Sequence, residues 1–127
     1  MILIVDTWIW LKLLESNDDP FYEKCITYLK NKNNQPYTTV LNIYEIFYLA
    51  MDRLDQEQAL EFIQTIKNKA LVISIEESIA MEAAKIHRSL ALPAIDAFVY
   101  AAGLKYNADI LTGDPHFKGK KRVIFLG

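Results

Sequence analysis

The sequence predicts an α/β fold of three layers, α/β/α, around a mainly parallel central sheet. Two observations carry this. Short apolar runs rich in β-branched residues alternate with amphipathic stretches of helical period along the chain, the order of a sheet built from strand–helix–strand units. The runs are apolar on both faces, as in "ILIV" (2–5), and strands without a polar face need cover on both sides. In such sheets ligands bind beyond the carboxyl ends of the strands, which fixes where a site has to be sought.

Each element has a local reason. "ILIV" is a short, fully apolar strand, and residues 7–14 continue with helical spacing. "PFYEKCITYLKNK" (20–32) is an amphipathic helix with Phe21, Cys25, Tyr28 and Leu29 on one side. "QPYTT" gives a strand ending near Thr38, followed by a helix from about Thr39 to Arg53. "QEQALEFIQTIKNK" (56–69) is a further helix and "ALVISI" (70–75) a strand. "EESIAMEAAKIHRSL" (76–90) is an amphipathic helix with acids in its first turn, where the helix dipole favours them. Pro93 opens the next helix, to about Tyr106, and "ADILT" (108–112) and "RVIFL" (122–126) are the last strands.

Composition narrows the class. The 127 residues suit one domain, 1–127, and 52% hydrophobic content is enough for a core. A net charge of −2 carries no global basic signature of nucleic-acid binding. It leaves room for an enzyme that brings its own cations. Cys25 is the lone cysteine, so an intrachain disulfide and a four-thiolate zinc site are both excluded, which suits a reducing, cytoplasmic location. The N-terminus lacks the basic start of a signal peptide. The longest apolar region, "LALPAIDAFVYAAGL", carries Pro93 and Asp96 and is too short to span a membrane.

Three apolar segments each carry one charge, and each time it is an acid. "MILIVDTWIWL" (1–11) has Asp6, "PYTTVLNIYEIFYLAM" (36–51) has Glu45, and "SLALPAIDAFVYAAGL" (89–104) has Asp96. Asp114 follows in "ILTGDPHF" (110–117). Each acid has a plain structural alternative. Asp6 and Asp114 can cap the helices that follow them, and Asp96 can favour a helix N-terminus. Glu45 lies too deep in its helix for a cap, and its helical neighbours Leu41, Asn42, Tyr48 and Leu49 include no cation. One arrangement accounts for all four. Asp6 and Asp114 sit just beyond the carboxyl ends of strands, and Glu45 and Asp96 in early turns of helices that begin at that same edge. Four converging carboxylates repel and raise each other's pKa. Divalent cations relieve this, and all-oxygen ligation selects Mg²⁺ or Mn²⁺. Asp109, at the other end of its strand, reads as a turn residue.

On these segments the chain resembles the PIN domain, the small metal-dependent ribonuclease fold of VapC-type toxins. The resemblance covers the whole chain and rests on "ILIVDTWIWL" with Asp6, "TTVLNIYEIFYLA" with Glu45, and "LPAIDAFVYAAGLKYNADILTGDPHF" with Asp96 and Asp114. It implies a Rossmann-like parallel sheet and a Mg²⁺ or Mn²⁺ site on these four acids. It further implies hydrolysis of RNA by metal-activated water, homodimers, and a small DNA-binding antitoxin as partner. Thr112 matches a supporting polar position two before the fourth acid, and Asn42 and Thr7 are further supporting candidates. These motifs do not separate a toxin from a housekeeping PIN nuclease. A haloacid-dehalogenase-like phosphatase wants a second Asp two positions after the first, where this chain has Trp8. A non-catalytic PIN-like interaction module has no need of all four acids.

Other residues carry less. The basic run "KGKKR" (118–122), with Lys118, Lys120, Lys121 and Arg122, reads as a solvated turn or, expected beside the site, as a contact to RNA phosphates. His116 follows the fourth acid and can face the crevice, though the family does not require it. His87 reads as a surface or boundary histidine, and Trp8, Trp10, Tyr44, Phe47 and Tyr48 as core or interface.

Overall fold

The computed structural model describes residues 1–15 and 18–127. Among these, five strands and six α-helices follow one another as β1 (Ile2–Val5), α1 (Thr7–Leu14), α2 (Tyr22–Lys30), β2 (Gln35–Thr39), α3 (Val40–Ala50), α4 (Gln56–Lys69), β3 (Leu71–Ile73), α5 (Glu77–Leu90), α6 (Ala94–Lys105), β4 (Asp109–Thr112) and β5 (Val123–Phe125). The sheet order is β3-β2-β1-β4-β5, and every pairing is parallel. The predicted α/β/α fold is the one observed.

Alternation along the strands divides the core into two layers. Leu3 and Val5 of β1 and Leu111 of β4 pack with Ile9, Trp10, Cys25, Ile46 and Ile66 from α1 to α4. Ile4 and Ile110 point the other way, into Ile79, Ala83, Ile86, Val99 and Ala102 of α5 and α6. Successive strand residues face opposite sides, so a strand that feeds both layers must be apolar throughout. α6 is buried over most of its surface, with Asp96, Ala97, Val99, Tyr100, Ala101, Ala102 and Gly103 all shielded. At Gly103 a Cβ would stand 2.6 Å from the Ile110 side chain, so glycine lets this helix lie against β4.

The boundaries moved for physical reasons. Thr39 is the last residue of β2 and also the N-cap of α3: its hydroxyl accepts from the Asn42 backbone N–H, and the Asn42 side chain accepts from the Thr39 backbone N–H. This reciprocal box starts the helix at Val40. β2 thus turns into helix after Thr39, the partner of Ile73. β3 therefore ends at Ile73 rather than at residue 75.

The basic run is divided by the topology. β4 and β5 are parallel, so the chain returns between them to the opposite edge of the sheet. Arg122 accordingly lies at the start of β5, where its Nε donates to Asp109 Oδ1 (2.5 Å) and its guanidinium reaches Asn107 Oδ1 (2.8 Å) and Asn107 O (3.1 Å). These contacts hold Arg122 in a left-handed conformation, φ 61°, which a non-glycine residue rarely adopts. The expectation that Arg122 stands beside the site is corrected on this ground. Asp109 is the first residue of β4 and an ion-pair partner, not a free turn residue.

Candidate functional site

The strand order reverses at β1, whose neighbours are β2 and β4. Ligand sites of open parallel sheets form at the carboxyl edge of such a switch point. Asp6 directly follows β1, and Asp114 follows β4 by two residues. Because Val5 pairs with Leu111, Asp6 comes level with Thr112, and the Asp6 N–H donates to Leu111 O at 3.0 Å. The same register lets Thr112 Oγ1 donate to Asp6 Oδ2 at 2.7 Å.

Asp6 occupies the N-cap position of α1 without making a side-chain cap bond. Its carboxylate is spent on the site instead. Besides Thr112, Asn42 Nδ2 approaches Oδ1 at 3.4 Å and also donates to Thr7 Oγ1 at 3.1 Å. Asn42 is oriented for this by the capping box of α3. Thr112 Oγ1 accepts the Asp114 backbone N–H at 3.0 Å, which ties the loop after β4 to the same hydroxyl. Gly113 lies between them against Trp8, where a Cβ would stand 2.5 Å from the indole ring.

Asp114 is a cap as well. Its Oδ1 accepts the His116 N–H at 2.9 Å and starts the single 3-10 turn Pro115–Phe117. That turn folds the His116 ring back, so that Nδ1 stands 2.8 Å from Asp114 Oδ1 and 3.6 Å from Asp96 Oδ2. Asp96, Asp114 and His116 each offer an atom within 4.8 Å of the others, a spacing that can hold a metal ion. Asp6 and Glu45 stand outside this tight group and act on it through charge. Glu45 is half-buried on α3, and its carboxylate raises the pKa of both Asp6 and Asp96. His116, which the sequence offered as able to face the crevice but which the family does not require, is the added member. Its signal was the Asp-Pro-His order, which builds a tight turn and returns the third side chain to the first.

Asp96 is the least compensated acid. It is only 7% exposed, and among the described residues it accepts no hydrogen bond. Burial, then the charges of Asp6 and Asp114, pushes its pKa up from 3.8 to about 7. Burial likewise lifts Asp6 to about 6, against the opposing bond from Thr112. Both acids hold protons more tightly folded than unfolded. Their contribution to the stability of the metal-free protein is therefore fully present below about pH 4 and is lost as the pH rises through about 6 and 7, by on the order of a few kcal/mol. Urea unfolding in EDTA at pH 5 and pH 8 should show the lower midpoint at pH 8, and added Mn²⁺ should recover more there. A higher midpoint at pH 8 without metal contradicts the buried, uncompensated acids.

The PIN domain family model matches residues 3–123. The chain belongs to the PIN domain family. Solved structures share this PIN fold over nearly the full length. A Klebsiella pneumoniae toxin–antitoxin complex is similar at TM-score 0.79 and 19% identity, covering 100% of this chain and 98% of that one. VapBC2 from Rickettsia felis, bound to a DNA fragment from its promoter, is similar at TM-score 0.76 and 17% identity over 98% and 97%. VapC20 of Mycobacterium tuberculosis, a sarcin-ricin loop cleaving toxin, is similar at TM-score 0.79 and 16% identity over 95% of each chain. Among curated proteins none matches. No described helix of this PIN domain is long and apolar enough to cross a membrane.

Proposed function

We propose that this chain is a divalent-metal-dependent endoribonuclease and the toxin of a toxin–antitoxin pair. Residues 1–127 act as one PIN domain, in the cytoplasm, as a homodimer whose partner is a small DNA-binding antitoxin. The observation that carries the nuclease is Asp96, a largely buried acid that accepts no hydrogen bond among the described residues and stands within 4.8 Å of Asp114 and His116 at the switch point of a PIN fold. Support for the toxin assignment comes from the company of the fold: similar structures include toxin–antitoxin complexes and an RNA-cleaving toxin.

The donor set suits a hard divalent cation, because the acids lack enough donors or counter-charges of their own. Asp96 and Asp114 would hold it, with Asp6 and Glu45 adding negative charge close by. Bound there, Mg²⁺ or Mn²⁺ supplies the charge that activates a water and stabilises the leaving oxygen of a phosphodiester. Thr112, Asn42 and Thr7 keep Asp6 in one orientation, so its charge faces the cleft rather than capping α1. Lys118 is exposed just past the turn that carries His116. In this reading it would meet an RNA phosphate, with Lys120 and Lys121 following on the returning segment. No reactive Cys serves as nucleophile: Cys25 is buried in the α1–α4 layer, its thiol pushed up to about 11 mainly by burial. Direct attack by water follows.

The test uses antitoxin-free protein on a panel of single-stranded and hairpin RNAs. Cleavage should appear with Mg²⁺ or Mn²⁺ and vanish in EDTA; cleavage that persists in EDTA overturns the mechanism. Asp109→Asn serves as the internal control. It changes the same chemistry five residues from Asp114, at the wrong end of β4. It should leave cleavage within about twofold and cost less than about 1 kcal/mol, since only a partly exposed ion pair is lost. Loss of cleavage equal to that of Asp114→Asn would contradict the placement of the site.

A further inference from the structure

We propose that His116 is a direct ligand of the cation, through Nδ1, and that this nitrogen tunes the site toward Mn²⁺ and away from Mg²⁺. The inference rests on the reading of Asp96 and Asp114 as a cation site and adds the identity of a third donor. Three observations lead to it. Nδ1 lies 2.8 Å from Asp114 Oδ1, a hydrogen bond whose proton the cation would displace, and 3.6 Å from Asp96 Oδ2. Donor atoms that share a small divalent ion at roughly 2.1–2.2 Å stand about 3 Å apart, so these atoms are already close to the spacing of a shared ligand shell. The ring is held there by the backbone, because the His116 N–H is anchored on Asp114 and the 3-10 turn begins with Pro115.

The environment also fits a ligand. The Asp96 side chain is 10% exposed, accepts no hydrogen bond among the described residues, and keeps its carboxylate oxygens open to the cleft beside His116. The His116 ring is 59% exposed, so when Nδ1 is turned to the ion the opposite nitrogen, Nε2, carries the proton toward water.

The chemical consequence is selectivity. Mg²⁺ demands near-ideal octahedral geometry and dehydrates reluctantly, whereas Mn²⁺, which also favours oxygen, is the first-row transition ion of the two and gives up a water for an imidazole more readily. Two carboxylates and one imidazole therefore favour Mn²⁺ beyond what carboxylates alone provide.

Calorimetric titration of metal-free protein with Mn²⁺ alone and with Mg²⁺ alone tests this without any cleavage assay. His116→Ala should weaken Mn²⁺ binding by about tenfold or more and leave Mg²⁺ binding within about threefold. Nitrogen modulation in the electron spin echo of Mn²⁺-loaded wild type should be present and should vanish in His116→Ala. Unchanged Mn²⁺ affinity, or equal weakening of both ions, overturns the ligand assignment; equal weakening would mean that His116 only steadies Asp114. Asp96→Asn separates the two levels. Lost affinity in Asp96→Asn with none lost in His116→Ala defeats this inference and leaves the acidic site standing. Unchanged affinity in both variants defeats the acidic site itself.

Discussion

Asp96→Asn is expected to abolish RNA cleavage and, in the same protein without metal, to raise stability at pH 8. The two effects have one cause. Asp96 sits in the first turn of a helix buried over most of its surface, with Asp6, Asp114 and Glu45 as like-charged neighbours and burial as the dominant penalty. Removing the charge removes the repulsion, and the gain should be about 1–3 kcal/mol at pH 8, part of it cancelled by the amide's own unmade hydrogen bonds. At pH 5 the folded acid is protonated but the unfolded one is ionised, so the gain should be smaller than at pH 8, and it should vanish only below about pH 4. Cleavage should fall at least about a hundredfold, the upper end of what even outer partners of a metal site cost. Urea unfolding at both pH values and cleavage at saturating Mn²⁺ check the pair of effects. An Asn variant that unfolds more easily at pH 8 would make Asp96 a structural residue.

Thr112→Val should cost activity through geometry rather than charge. The hydroxyl donates to Asp6 Oδ2 and accepts the Asp114 N–H, so one atom fixes both the acid after β1 and the loop after β4. Valine keeps the shape and leaves both partners unpaired in a position that is fully buried. A lost bond to a buried carboxylate costs about 1.5–3 kcal/mol, and cleavage should drop about 10–100-fold. Thr112→Ser, which restores the hydroxyl, should recover most of the activity. Full activity in the valine variant would mean that Asp6 needs no orientation.

The order of elements was legible because strands and helices differ in period, and the two-sided apolarity of β1 and β4 announced the two core layers. Strand order was not legible. Nothing local in "ILIV" or "ADILT" says that Val5 pairs with Leu111, yet that register is what sets Asp6 beside Thr112. Isolation in apolar segments was enough to single out Asp6, Glu45 and Asp96. It could not grade them, because Glu45 and Asp96 differ only in how deeply α3 and α6 are embedded. Arg122 was misplaced since charge clustering along the chain ignores the return that a parallel β5 demands. His116 was underweighted for the opposite reason. Exposed and next to a proline, it resembles an ordinary turn residue until the Asp114 cap is seen to fold its ring back toward Asp96.

The central claim is that a divalent cation binds between Asp96 and Asp114 at the carboxyl edge of β1 and β4. The most direct measurement is anomalous diffraction from a crystal soaked in Mn²⁺. The expected result is a peak within coordination distance of a carboxylate oxygen from each of these two acids, absent in a crystal of Asp96→Asn. A well-diffracting wild-type crystal with manganese bound elsewhere, and none between these acids, would contradict it.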